Sequence, residues 1–403
     1  MKPRLRVGDS GKQDTTVRER RKSVMKTPAT VFGGLLLVSM SLFGGDYLSF
    51  VECHEGESEL EYYRDGAIDV GGSMVTVVGF YDEAAHFSRD PETGKLNFVE
   101  NIAFSSSGTD LEQVLPGRFL YLARGYSDMV TVIDRANDGS LSLLQNLTDG
   151  QDGVDGIENT MGVCLPADGH NVYAVGKDDD AIAVFTRNST DGTLSFLEAH
   201  FDTDTGIDGL DGAMSCVVSP DDDFVYVGSG EDDAIAVFRR DAATGALTYT
   251  SMISNADTGV SGLGYPVVMK CPPHSSYLYV SGDGVAVFSR DAVTGELSFV
   301  QRESMAFPYS MTYQAGAGRL YVASQTGDSV TVYEIDDDDG TLTEVETLVQ
   351  GSDGMTCLDS PAALFLSPGG GSLYVGGENG SLAVFSIAIF GNGFETGDTA
   401  AWE

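Results

Sequence analysis

One short β-rich unit recurs seven times along the chain, and this repeat restricts the possible folds more than any other feature. Its clearest copy is FVYVGSGEDDAIAVFRRDAATGALTYT, residues 224–250. Residues 224–227 and 234–238 are almost wholly apolar and are separated by the turn-forming EDD, so they read as strands covered on both faces. Residues 247–250 alternate apolar and polar, as a half-exposed outer strand does. A further run precedes the unit, as at residues 213–219 and 362–367, giving four strands per repeat. Aligning on the residue that ends the second apolar strand gives Phe87, Ile133, Phe185, Phe238, Phe288, Tyr333 and Phe385, at intervals of 46, 52, 53, 50, 45 and 52 residues. That period suits a propeller blade and is too long for leucine-rich or ankyrin repeats.

The predicted fold is therefore all-β, a seven-bladed β-propeller of four-stranded antiparallel blades. The last repeat lacks an outer strand after Phe385, whereas YLSFVE at residues 47–52 matches the outer-strand sequences NFVE and SFVQ. This displaced strand is expected to complete the last blade, closing the ring with one N-terminal and three C-terminal strands and removing an open sheet edge.

Charge bounds the partners. Asp and Glu outnumber Lys and Arg by 61 to 23, a formal charge of −38, and nine of the basic residues lie within the first 26. Such a surface repels phosphate backbones and anionic headgroups, which argues against nucleic acid and membrane surfaces and favours cations or a small-molecule or protein ligand. Residues 31–43 form a 13-residue apolar run, too short to span a bilayer and suited to a signal-peptide core behind a basic region. The expected organisation is a basic region and signal peptide over 1–44, a propeller over 45–388 and a tail over 389–403. The mature protein would be a monomer in the periplasm or outside the cell, with no stable membrane span after signal cleavage. Five cysteines, Cys53, Cys164, Cys216, Cys271 and Cys357, permit at most two disulfides, and their pairing stays open at this stage.

The VY and LY strands, the SPDDD turn and the AVFxRDxxTGxL hairpins together resemble the lactonase-type seven-bladed propellers, which include 6-phosphogluconolactonase-like proteins. The resemblance implies the fold and, through enzymatic members that use His and Arg in a central funnel, the possibility of lactone hydrolysis. Only five histidines are present. His170 and His274 fall in turns opposite the loops that shape such a funnel, and His86 lies within a first-blade strand. His54, His200, Arg124, Lys177 and Lys270 are the remaining candidates for catalysis or oxyanion stabilisation, weighed against ordinary surface ion pairs. The leading expectation is an exported, lactonase-like propeller that binds a ligand, cation or protein on its acidic loop face; the alternative is a lactone hydrolase.

Two other constellations bear on chemistry. The equivalent loops DGQDGVDGIEN (149–159) and DTDTGIDGLDG (202–212) space carboxylates with glycine, so Asp152, Asp155, Asp204, Asp208 and Asp211 are candidate Ca²⁺ ligands, with solubilising turns as the other reading. Met and Cys recur together near the innermost strands, as at Met161 with Cys164 and Met214 with Cys216. Unequal spacing to the following Tyr is expected to send these sulfurs in different directions, which favours packing over a soft-metal site.

Overall fold

The computed structural model describes residues 47–55, 63–69, 71–79, 83–103, 108–113, 118–136, 139–273, 275–314, 316–352 and 355–388. The expectations for the signal peptide, the C-terminal tail and His274 fall outside these residues. Among the described residues there is no helix long and apolar enough to cross a membrane.

Among the described residues the strands form seven four-stranded antiparallel sheets, as the repeat predicts. The fourth blade is typical, with Ala213–Val218 innermost, then Phe224–Ser229, Ala234–Arg240 and the outer Leu247–Ser254. Phe224–Ser229 is buried along its whole length because side chains alternate between the faces of a strand and both faces here meet a neighbouring blade. Val225 and Val227 pack with Tyr173 and Val175 of the preceding blade. Phe224 and Tyr226 pack with Leu278 and Val280 of the following one. The unbroken apolar runs in the sequence thus record burial on two sides.

The seventh sheet joins Pro361–Leu366, Ser372–Gly377 and Ser381–Ile387 to the N-terminal Leu48–Glu55, which lies outermost. The displaced strand obeys the repeat down to single atoms. Leu48 N–H donates to Glu346 Oε2 of the preceding blade at 2.9 Å. Leu96 donates to Glu52 at 2.7 Å, Leu194 to Gln145 at 2.8 Å, Leu247 to Glu198 at 2.8 Å and Leu342 to Gln301 at 2.9 Å in the same way. A disulfide between Cys53 and Cys357, 304 residues apart, clasps the seam covalently.

A second disulfide joins Cys164 to Cys216, and Cys271 is a buried free thiol. Cys164 lies opposite Tyr173 and Cys216 opposite Val227, one place from Tyr226, so the two sulfurs do leave different faces of their sheets. Unequal spacing does not keep this pair apart, because the faces that carry the two sulfurs are the ones adjacent blades turn toward each other.

Candidate active site in the axial channel

The innermost strands surround an axial channel, and their polar side chains fall into two groups. Those of the first group join neighbouring blades. Asp65 accepts Leu111 N–H at 3.0 Å, Asp110 accepts Val163 N–H at 2.8 Å and Ser310 accepts Leu364 N–H at 3.0 Å. Ser215 instead donates to Pro266 O at 2.9 Å. Asp65, Ser215 and Ser310 each sit just past an irregularity at the start of their strand, and Asp110 opens its own. These residues satisfy backbone groups that the narrow centre hides from water.

Glu112 and Lys270 form the second group. They lie on short strands, Asp110–Gln113 and Val268–Lys270, from blades three apart in the ring, and both line the channel at its waist. Above the waist is a small cavity of about 100 Å³, bordered by Arg64, Met161, Met214 and Tyr309. Below it, on the side of the Ser367–Gly370 turn, a hollow of about 520 Å³ is lined by Gln113, Thr312, Tyr313 and Gln314. That is room for a sugar-sized ligand.

Enclosure and mutual charge set the protonation of this cluster. Burial pushes the Glu112 carboxyl up to about 7, with Lys270 pulling against it and Asp110 reinforcing it. Burial by itself would lower the Lys270 ammonium, but Glu112, Asp65 and Asp110 more than offset that and hold it above its usual range. Asp65 lies well above the ordinary carboxyl range because it is buried and faces Asp110. Asp110 is also raised by burial, against hydrogen bonds from Val163 and Asp65. The arrangement places a carboxyl poised near neutrality beside a cation in a constricted, polar channel.

The other sequence-derived candidates do not join Lys270. His54 and His200 do not face the funnel, since both lie on the outermost strands of their blades, Leu48–Glu55 and Leu194–Phe201. There they pair with Glu52 at 3.1 Å and Glu198 at 3.2 Å. Arg124 is buried within the second blade, where its Nη1 donates to Met129 Sδ at 3.1 Å and Thr131 Oγ1 at 3.2 Å. Lys177 lies on the opposite end of the ring from the lower hollow, with its Nζ 5.9 Å from the Tyr265 ring centre. His86 is buried against Thr76.

The acidic loops build two equivalent triads. Asp149, Asp155 and Asp179 bring one oxygen each within 4.8 Å of the others, and Asp202, Asp208 and Asp232 repeat the arrangement. Asp155 and Asp208 are thus placed in clusters, whereas Asp152, Asp204 and Asp211 are outside them. Several of these acids also hold the loop backbone: Asp149 accepts Ile157 N–H at 3.2 Å, and Asp202 accepts Leu210 N–H at 3.0 Å. Asp179 and Asp232 accept Glu158 and Asp211 N–H groups at 2.8 and 3.0 Å. Such oxygen-only triads suit a hard cation such as Ca²⁺ if water completes the shell.

Residues 101–261 and 268–357, more than half of the chain, match the family model for the lactonase seven-bladed β-propeller. The chain belongs to the lactonase family. Among solved structures, this lactonase-family propeller is similar to a protein assigned as a 6-phosphogluconolactonase from Bacteroides uniformis, with 20% identity, a TM-score of 0.62 and coverage of 74% of this chain and 86% of that one. It is also similar to a periplasmic gluconolactonase from Pseudomonas aeruginosa, with 20% identity, a TM-score of 0.59 and coverage of 73% and 86%. At that identity the likeness speaks for the fold. No curated protein sequence matches the chain. The Glu112 and Lys270 pair escaped the sequence reading in part. Lys270 stands out as a cation at the end of an inner strand, but Glu112 looks like any other acid in a chain with 61 of them.

Proposed function

We propose that this propeller hydrolyses a small lactone in its axial channel, with Glu112 and Lys270 as the reacting pair. The observation that carries the reading is their convergence at the waist, where a hollow of about 520 Å³ opens onto both. Glu112, ionised above about pH 7, takes a proton from water as it attacks the lactone carbonyl. Lys270 balances the negative charge that develops on the carbonyl oxygen. The ring C–O bond then breaks, the departing oxygen takes the proton back from Glu112, and a hydroxy acid leaves. Gln113, Tyr313 and Gln314 supply hydrogen-bonding groups for substrate hydroxyls. The gluconolactonase names carried by similar folds support the substrate class.

Turnover of gluconolactone, its 6-phosphate and acyl-homoserine lactones tests the reading. Hydrolysis of one of them, reduced at least a hundredfold in Glu112→Gln and Lys270→Met, is expected. Binding without turnover would favour the scaffold reading, for which the non-convergence of Lys270 with the other candidate cations speaks. We further propose export to an oxidising compartment, supported by the two disulfides. N-terminal sequencing of protein recovered outside the cytoplasm, starting beyond the apolar run at 31–43, tests it.

A further inference from the structure

The face of the ring opposite the lower hollow carries a second constellation that lactone hydrolysis does not use. In five blades an equivalent residue takes a left-handed conformation, immediately before the innermost strand at Asn159 (φ 52°), Gly212 (67°), Phe307 (41°) and Ser360 (48°) and three residues before it at Tyr265 (59°). Asn, Gly and Ser are small or can hydrogen-bond locally, and such residues suit that turn. Tyr and Phe are bulky, and there they are true outliers. They occupy adjacent blades, the fifth and sixth, and both rings remain 40% exposed, so core packing does not explain their presence.

The two rings face a shared hollow of about 400 Å³ whose other lining is Asp233, Gly264, Gly282 and Asp283. Gly264 lets the Asp283 carboxylate sit close, since a Cβ there would come within 2.4 Å of its carboxyl carbon. Each ring is also held in place. Phe307 stacks on Tyr309 at 5.9 Å, and the Arg64 guanidinium lies 4.9 Å above the Tyr309 ring. Tyr265 lies against Gly230, where a Cβ would come within 2.9 Å of its ring, and its backbone N–H donates to Asp233 Oδ1 at 3.3 Å.

Two aromatic rings and two carboxylates, with no basic side chain in the lining, describe a receptor for an organic cation. Aromatic faces attract cations through their quadrupole, and the Lys177 ammonium 5.9 Å from the Tyr265 ring already exploits this. The carboxylates add direct charge, and the protein's −38 concentrates cations at its surface. The lining itself offers an anionic or phosphorylated ligand no cation.

We propose that the hollow between Tyr265 and Phe307 binds the alkylammonium or guanidinium group of a small-molecule ligand, at a site separate from Glu112 and Lys270. Calorimetric titration with tetramethylammonium and with arginine amide, using glucose as a neutral control, tests this. Saturable binding of at least one cation, weakened by added salt, is expected, with none for glucose. Tyr265→Asn and Phe307→Asn place a residue already used at this turn, so both variants should melt at or above the parent temperature. Each should nevertheless weaken the cation at least tenfold, and Glu112→Gln should leave its affinity unchanged. No heat with either cation overturns the proposal. So does unchanged affinity in the double Asn variant, which would leave the rings with a structural role only.

Discussion

The Tyr173 hydroxyl of the third blade donates to the Gly245 carbonyl in the outer hairpin of the fourth, at 3.0 Å, and receives a bond from Arg240 Nε at 2.8 Å. The latch recurs around the ring. Tyr121 reaches Gly192 at 3.0 Å, Tyr226 reaches Gly295 at 3.1 Å, Tyr279 reaches Gly340 at 3.1 Å and Tyr374 reaches Gly94 at 2.8 Å. Tyr321 faces the seventh blade, whose outer strand comes from the N-terminus rather than from a hairpin, and it bonds Gln314 at 2.9 Å instead. The repeated Tyr, Arg and Thr-Gly of the sequence are therefore the fasteners between blades.

Tyr173→Phe removes this latch and leaves the buried Arg240 Nε without its partner, while Asp168, Asn171 and Asp222 still hold the other nitrogens, so a loss of about 1–3 kcal/mol is expected in denaturant unfolding. Burial pushes the Tyr173 phenol up to about 12, opposed by Arg240. Because its native value lies above the unfolded one, its contribution is intact below about pH 10 and is lost as pH rises towards 12. Alkaline melting curves of parent and Tyr173→Phe should converge across that window.

Gly245 has φ +81°, and a Cβ there would lie 2.0 Å from Asn171 Nδ2. Gly245→Ala is expected to cost about 2–4 kcal/mol, from left-handed strain together with displacement of a buried amide. Gly206→Ala provides the comparison, since it has a similar φ of +88° and no heavy atom within 4 Å of the added carbon. It should cost about 1 kcal/mol. Equal losses would show that steric contact at Gly245 contributes nothing.

Ring closure should dominate stability. Deleting residues 47–52 exposes the edge of Ser381–Ile387 and removes the Leu48 to Glu346 bond, so a large fall in melting temperature and a tendency to associate are expected. The Cys53–Cys357 bridge closes a far longer loop than Cys164–Cys216, 304 against 52 residues. Cys53→Ala should therefore destabilise more than Cys164→Ala, each by about 2–5 kcal/mol.

The pH dependence of lactone turnover should follow Glu112. A base must be ionised, so kcat/KM should rise with pH through about 7 and the limb should vanish in Glu112→Gln. Stability runs the other way. Glu112 holds its proton more tightly in the native state, so folding loses up to about 3 kcal/mol as pH rises from 4.5 to 7. Glu112→Gln should accordingly melt higher than the parent at pH 8 while losing turnover.

Sequence alone determined the blade count, the four-strand unit and the closing strand at residues 47–52, because alternation, turn chemistry and a 45–53-residue period are local signals repeated seven times. It also placed Lys270 among the candidates. Tertiary structure decided what distant strands bring together. His54 and His200 look like catalytic residues in the chain, yet strand order puts them on the rim, and the packing of adjacent blades brings Cys164 to Cys216. Glu112 acquires its neutral-range carboxyl from enclosure, reinforced by Asp110 two residues before it and opposed by Lys270 158 residues beyond it. Repeats fix the ring because every copy says the same thing, whereas a site at its centre depends on single residues that differ from blade to blade.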